Sequence, residues 1–86
     1  MILYKEIEKT FPEIESFFTP EELAKFKDTP AGDMYRYHFG LGLSIRNSAI
    51  LSEDSLLFRL FTNNRISQKD DMSSLMIKLF HYHINR

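Results

Sequence analysis

The chain has no cysteine among its 86 residues, and this absence excludes two common ways of stabilising a small protein. Neither a disulfide framework nor a zinc site with cysteine ligands can form. A chain of this length buries only about 60–65% of its unfolded surface, so its margin of stability is thin. The fold must therefore be held by packing, by self-association or by binding a partner.

Long apolar runs and an excess of charge of one sign are also missing. No stretch approaches the ~18 apolar residues of a membrane span, so we expect no membrane partner. The chain has 11 Lys and Arg against 12 Asp and Glu, for a net charge of −1, which argues against nucleic acid as a partner. Lys5, Glu6 and Glu8 interrupt the apolar start, so we expect no signal peptide and a cytoplasmic location.

Hydrophobic and aromatic residues are plentiful, and their spacing is helical. They make up 43% of the chain, with eight Phe and four Tyr. No segment shows the sustained alternation of a strand. We therefore predict an all-α fold, a single helical domain over residues 1–86, built as a bundle of four to five helices. Within it, Thr19 and Glu22 form a capping box, Ser52 caps the helix before the last, and Met72, Leu75, Met76, Leu79, Phe80 and His83 line one face of the last helix.

Residues 31–50 are predicted to form the central, buried helix of this bundle. Its apolar side chains fall on two flanks: Met34, Leu41 and Ile45 on one, and Phe39, Leu43 and Ile50 on the other. Gly40 and Gly42 lie in its middle, where each glycine costs about 0.5–1 kcal/mol relative to alanine. We expect close approach of another backbone to compensate. A kinked helix is the alternative.

Polar side chains on the predicted central helix suggest a tie to the last helix. His38 and Arg46 share one side with Gly42, and Asn47 follows. Asp70 and Asp71 open the last helix. We favour a structural role, in which Arg46 binds the two carboxylates bidentately and fixes the angle between the helices. The functional alternative is that these residues form an anion pocket or bind an acidic partner.

The histidines and hydroxyls give no strong sign of chemistry. His81 and His83 are two residues apart and project ~200° apart on a helix, so they do not form a metal-binding pair, and we expect no metal or cofactor. His81 is expected to be exposed. His38 with Asp70 or Asp71 and Ser73 or Ser74 supplies the residue types of a catalytic site, but no nucleophile elbow, phosphate loop or zinc motif accompanies them. We therefore expect no enzymatic activity. A DNA-binding reading of residues 53–86 is disfavoured because Asp70 and Asp71 open its second helix.

Two blocks carry a resemblance to a known family. Residues 38–47 read HFGLGLSIRN and residues 70–73 read DDMS, before a helix that ends in His81, Tyr82 and His83. The chain resembles a family of short, uncharacterised bacterial helical domains that share an HFGLGxxIRN block and a later DDxS element, over roughly residues 35–83. The resemblance implies a compact helical domain in which seven residues act together: His38, Gly40, Gly42, Arg46, Asn47, Asp70 and Asp71. It implies no activity.

Two functional hypotheses follow. The first is a non-enzymatic module that binds another protein, of the immunity, antitoxin or inhibitor type. The aromatic N-terminal residues Tyr4, Phe11, Phe17 and Phe18 are candidates for its binding surface, although core packing is the expected role of any single one of them. The second is a homo-oligomer that uses the Met and Phe face of the last helix as its interface.

Overall fold

Six α-helices and two short 3-10 segments make up the fold in the computed structural model, which describes residues 2–86. The α-helices are α1 (Ile2–Glu8), α2 (Phe11–Ser16), α3 (Pro20–Asp28), α4 (Leu41–Asn47), α5 (Leu56–Asn63) and α6 (Lys69–Asn85), and the 3-10 segments are Ala31–Tyr37 and Ala49–Leu51. No strand occurs within residues 2–86. The predicted all-α class is confirmed, whereas the predicted four to five helices are too few. None of the helices in these residues has the length and apolar character to cross a bilayer.

The predicted central helix over residues 31–50 is wrong, because the chain breaks it twice. The 3-10 segment ends at Tyr37, and α4 begins only at Leu41, after Gly40 with φ −84° and ψ −86°. At Ser48 the backbone is extended, with φ −89° and ψ 170°, and the Ser48 hydroxyl accepts a hydrogen bond from the amide of Ile50 at 3.2 Å. Glycine and serine both favour such departures, glycine through its freedom and serine through local hydrogen bonds.

Helix α6 is the true centre of the fold. It is the longest helix, with 17 residues, and it packs against α3, α4 and the first 3-10 segment. The predicted apolar face is largely confirmed: Met72, Met76 and Phe80 are at most 1% exposed, and Leu75 and Leu79 pack partly buried against the core. These side chains lie inside their own chain. The face of α6 expected as an oligomer interface is therefore already covered.

The N-terminal aromatic residues mainly build the core. The Phe80 ring packs against Phe11, Phe18 and Phe26, with ring centroids 5.5, 6.2 and 5.7 Å away. Phe11 is 4% exposed, while Phe17 is exposed at 37%. Phe11 and Phe18 thus take the core role expected of any single one of these residues, while Tyr4 is partly buried and Phe17 is exposed.

Local capping explains where the short helices begin. The predicted capping box is confirmed: Thr19 Oγ1 accepts from the Glu22 amide at 3.2 Å, and a Glu22 side-chain oxygen accepts from the Thr19 amide at 2.9 Å. The N-cap of α5 is Ser55 rather than Ser52, with its hydroxyl accepting from the Phe58 amide at 3.0 Å. Ser52 instead ends the second 3-10 segment.

Candidate functional site

A cluster of polar side chains joins α4 to α6, and Arg46 is its centre. Arg46 lies in the last turn of α4 and is only 11% exposed. Its Nη1 donates to the Ser73 hydroxyl at 3.0 Å, and its Nη2 donates to the His38 carbonyl at 3.1 Å. Its Nε lies 3.4 Å from a carboxylate oxygen of Asp70. The Arg46 guanidinium therefore connects α4, in which it lies, to His38 before α4 and to the first turn of α6. We name His38, Gly42, Arg46, Asp70 and Ser73 the Arg46 seam.

Gly42 makes room for this guanidinium. A Cβ atom at Gly42 would lie 2.8 Å from Arg46 Nη1 and 3.3 Å from the Tyr37 carbonyl oxygen. The first distance is shorter than any van der Waals contact. At Gly42 the expected close approach of another backbone is met only by the Tyr37 carbonyl, since the nearest atom belongs to the Arg46 side chain of the same helix. A Cβ atom at Gly40 would have no neighbouring atom within 4 Å. The second prediction, a kink in the helix, applies at Gly40.

The ion pair in the seam is more exposed than the sequence suggested. Asp70 is 67% exposed, and its second oxygen lies 4.0 Å from His38 Nε2. A pair this exposed contributes at most about 1 kcal/mol. Arg46 contacts Asp70 through one nitrogen, so the predicted bidentate clamp on both carboxylates is wrong. Within residues 2–86, Asp71 joins no ion pair, and both Asp71 and Asn47 are exposed.

The sequence groups Ser73 with His38 and Asp70 only as possible catalytic residue types, and it does not predict the contact of Ser73 with Arg46. Ser73 is 1% exposed, accepts from Arg46 and donates to the Asp70 carbonyl at 3.1 Å. A signal for it existed. A serine inside the apolar face of a helix, next to Met72, needs a polar partner, and Arg46 supplies one.

His81 is buried, against expectation. It is 7% exposed, and its Nε2 lies 2.8 Å from the Thr29 carbonyl oxygen, with the Phe26 ring packed at its edge 5.2 Å away. The Nε2–H group donates in this contact, since a carbonyl only accepts. His81 therefore ties α6 to the end of α3. His83 is half-buried beside Phe11, at 4.8 Å between ring centroids. Throughout the described chain, no three His, Asp or Glu side chains are placed to hold a metal ion.

Three exposed aromatic rings lie around the first 3-10 segment and α6. Phe39 is 81% exposed, Tyr35 72% and Tyr82 64%. The Phe39 ring meets the His38 ring edge to face at 4.8 Å. Leu43 in α4 is also exposed. The prediction that Phe39 and Leu43 form a buried flank is wrong, because the break at Gly40 turns both residues away from the core.

Two neighbouring grooves run between the first 3-10 segment and α6. One, of about 230 Å³, is lined by Met34, Tyr35, His38, Ser74, Ile77 and Lys78. The other, of about 320 Å³, is lined by Ala31, Met34, Lys78, His81, Tyr82 and Asn85. Met34 and Lys78 line both grooves, so the two form one surface with a tyrosine in each lobe. We name this surface the tyrosine groove.

These features define a small all-α domain with a polar seam between two helices and an aromatic groove beside it. The chain belongs to a family of domains of unknown function, DUF6794, whose sequence model matches residues 5–84. Searches of curated proteins and of solved structures gave no match. The resemblance to a family of uncharacterised domains is confirmed, over more of the chain than residues 35–83. That the HFGLGxxIRN and DDxS blocks mark the family stays a prediction, as does its bacterial distribution.

Proposed function

We propose that this protein is a non-enzymatic module that binds another protein in the cytoplasm, in the manner of an immunity protein, antitoxin or inhibitor. One observation carries the proposal: Tyr35, Phe39 and Tyr82 are between 64 and 81% exposed on neighbouring elements. Exposing large rings to water is unfavourable, and Tyr and Phe are enriched where protein interfaces form.

The geometry of the seam supports a binding role over a catalytic one. Arg46 donates hydrogen bonds to the Ser73 hydroxyl and the His38 carbonyl, so its guanidinium stabilises the packing of α4 against α6. The His38 ring is half-buried at the edge of the tyrosine groove. We assign Arg46 the role of holding this edge in place. The exposed side chains of Asn47, Asp70 and Asp71 are the polar residues that a partner would meet beside the rings.

Affinity purification from the native host tests the proposal. Tagged full-length protein is used as bait, with the variant Tyr35→Ala/Phe39→Ala beside it. We expect one specific protein to bind the wild type and to be lost from the variant. Leu56→Ala is the matched control, because Leu56 is 57% exposed on α5, away from both grooves. Recovery of no specific protein, or equal recovery with the double variant, would contradict the proposal.

Self-association is the second candidate function, and the exposed rings of Tyr35, Phe39 and Tyr82 also support it. The core takes up Met72, Met76 and Phe80, so an oligomer would have to form through the exposed aromatic residues. Light scattering of the purified protein separates the two candidates. A monomer at high concentration removes the oligomer, whereas a dimer that Phe39→Ala dissociates favours it.

A further inference from the structure

We infer that the tyrosine groove binds an amphipathic α-helix of a partner protein, with an acidic side chain of that helix facing Lys78. This inference rests on the proposed protein-binding function and names the surface and the chemistry of the partner.

The floor of the groove is apolar and preformed. Met34 and Ile77 are 4% and 2% exposed, and they close the space between the first 3-10 segment and α6. Tyr35 lines one lobe and Tyr82 the other, each with most of its ring in solvent. An apolar floor with aromatic side chains along it accepts the apolar face of a helix, whose anchors recur every three or four residues.

The length of the groove fits about three turns of helix. Its lining residues on α6 run from Ser74 to Asn85. Eleven steps at 1.5 Å per residue give about 17 Å, and each helical turn rises 5.4 Å. A helix of this length presents three or four apolar anchors, which is enough to cover both lobes.

The charge at the centre of the groove selects the partner. Lys78 lines both lobes. Its side chain is exposed, and within residues 2–86 no carboxylate lies within 4.0 Å of its ammonium group. The nearby Asp70 is already paired with Arg46, at 3.4 Å. A helix that carries an acidic side chain where it meets Lys78 supplies the missing partner charge.

Site-directed photocrosslinking locates the contact. A photoreactive phenylalanine replaces Tyr35 or Tyr82 in the full chain, expressed in the native host. We expect crosslinks from both positions to one helical segment of the same protein. Crosslinks only to a second copy of this chain, or to a segment without an acidic residue, would overturn the inference.

A peptide then tests the chemistry. The crosslinked segment is synthesised with a fluorescent label, and its binding is measured by anisotropy. We expect Tyr82→Ala to weaken binding about tenfold or more, as for an aromatic anchor. Lys78→Glu should also weaken it, and replacing the facing acidic residue of the peptide with lysine should restore it. Leu56→Ala and Arg59→Glu, which change exposed residues of α5, are the matched controls.

The outcomes for the inference and for the proposed function are distinct. If the purified partner binds Tyr82→Ala and Lys78→Glu as tightly as the wild type, the groove is not the site, while the protein-binding function stands. If the affinity purification yields no partner, the function itself fails. Circular dichroism confirms that each variant is folded, which is expected because Lys78 and Tyr82 are exposed.

Discussion

Arg46 and Ser73 lie 27 residues apart in sequence and are joined by a 3.0 Å hydrogen bond between two helices. The Ser73 hydroxyl in turn donates a hydrogen bond to the Asp70 carbonyl within α6. The same guanidinium holds the His38 carbonyl. The orientation of α4 on α6 therefore depends on a charged donor with neutral acceptors, more than on the exposed ion pair with Asp70.

Replacing Arg46 with leucine should destabilise the fold by about 2–3 kcal/mol, since buried Ser73 and the His38 carbonyl lose a charged donor. Asp70→Asn should cost less than about 1 kcal/mol, because Asp70 is 67% exposed. Urea denaturation followed by circular dichroism measures both values. Wild-type stability of the Arg46→Leu variant would contradict the structural role of Arg46.

Gly42→Ala should lower stability by about 1–2 kcal/mol, because the new methyl group displaces Arg46 from its acceptors and this outweighs the gain in helix propensity. The penalty should shrink in an Arg46→Ala background, which a double-mutant cycle detects. Gly32→Ala is the control, since no atom lies within 4 Å of a Cβ there. Equal effects at Gly42 and Gly32 would rule out the proposed crowding.

His81→Ala should destabilise the protein by about 2–3 kcal/mol, because it leaves the Thr29 carbonyl without its donor and opens a void beside Phe26. Thermal unfolding monitored by calorimetry measures the loss. His83→Ala serves for comparison and should cost less, as His83 is only half-buried. A smaller effect at His81 than at His83 would contradict the assignment of His81 as the link between α6 and α3.

Phe39→Ala should leave the free energy of unfolding within about 0.5 kcal/mol of wild type, as for an exposed side chain. Phe80→Ala should cost about 3–5 kcal/mol, since a large buried ring is removed. Both follow from exposures of 81% and 1%. Large destabilisation by Phe39→Ala would mean that this ring is part of the core, as the single central helix predicted.

The sequence predicts those parts of the fold that depend on residues a few positions apart. The apolar face of α6 and the capping box of Thr19 and Glu22 depend on spacings of three and four residues, which the structure reproduces. The sequence also points to Arg46 and Asp70 as a pair, although the contact is a single one at 3.4 Å and not a bidentate clamp on two carboxylates. A repeated spacing or a pair of opposite charges is enough to predict such features.

The failures occur where two conformations compete within a few residues. Residues 31–50 have a helical apolar pattern, yet Gly40 and Ser48 end the helix on either side of α4. Ser52 and Ser55 are both good N-caps, and the helix begins after the second. His81 lies on the side of α6 opposite the predicted apolar stripe, and it is buried because Phe26 and Thr29, at the end of α3, pack against it. Such choices depend on tertiary contacts, which no local pattern contains.

The hydrogen bond from Arg46 to the His38 carbonyl has a consequence for the next residue. It fixes the backbone where the chain turns out of the core, directly before the most exposed ring of the chain. A partner that contacts Phe39 would meet a ring whose backbone is already ordered. Less conformational entropy would then be lost on association, which strengthens binding without adding a contact. Loosening the seam should thus weaken binding at Phe39 even where the partner never touches Arg46.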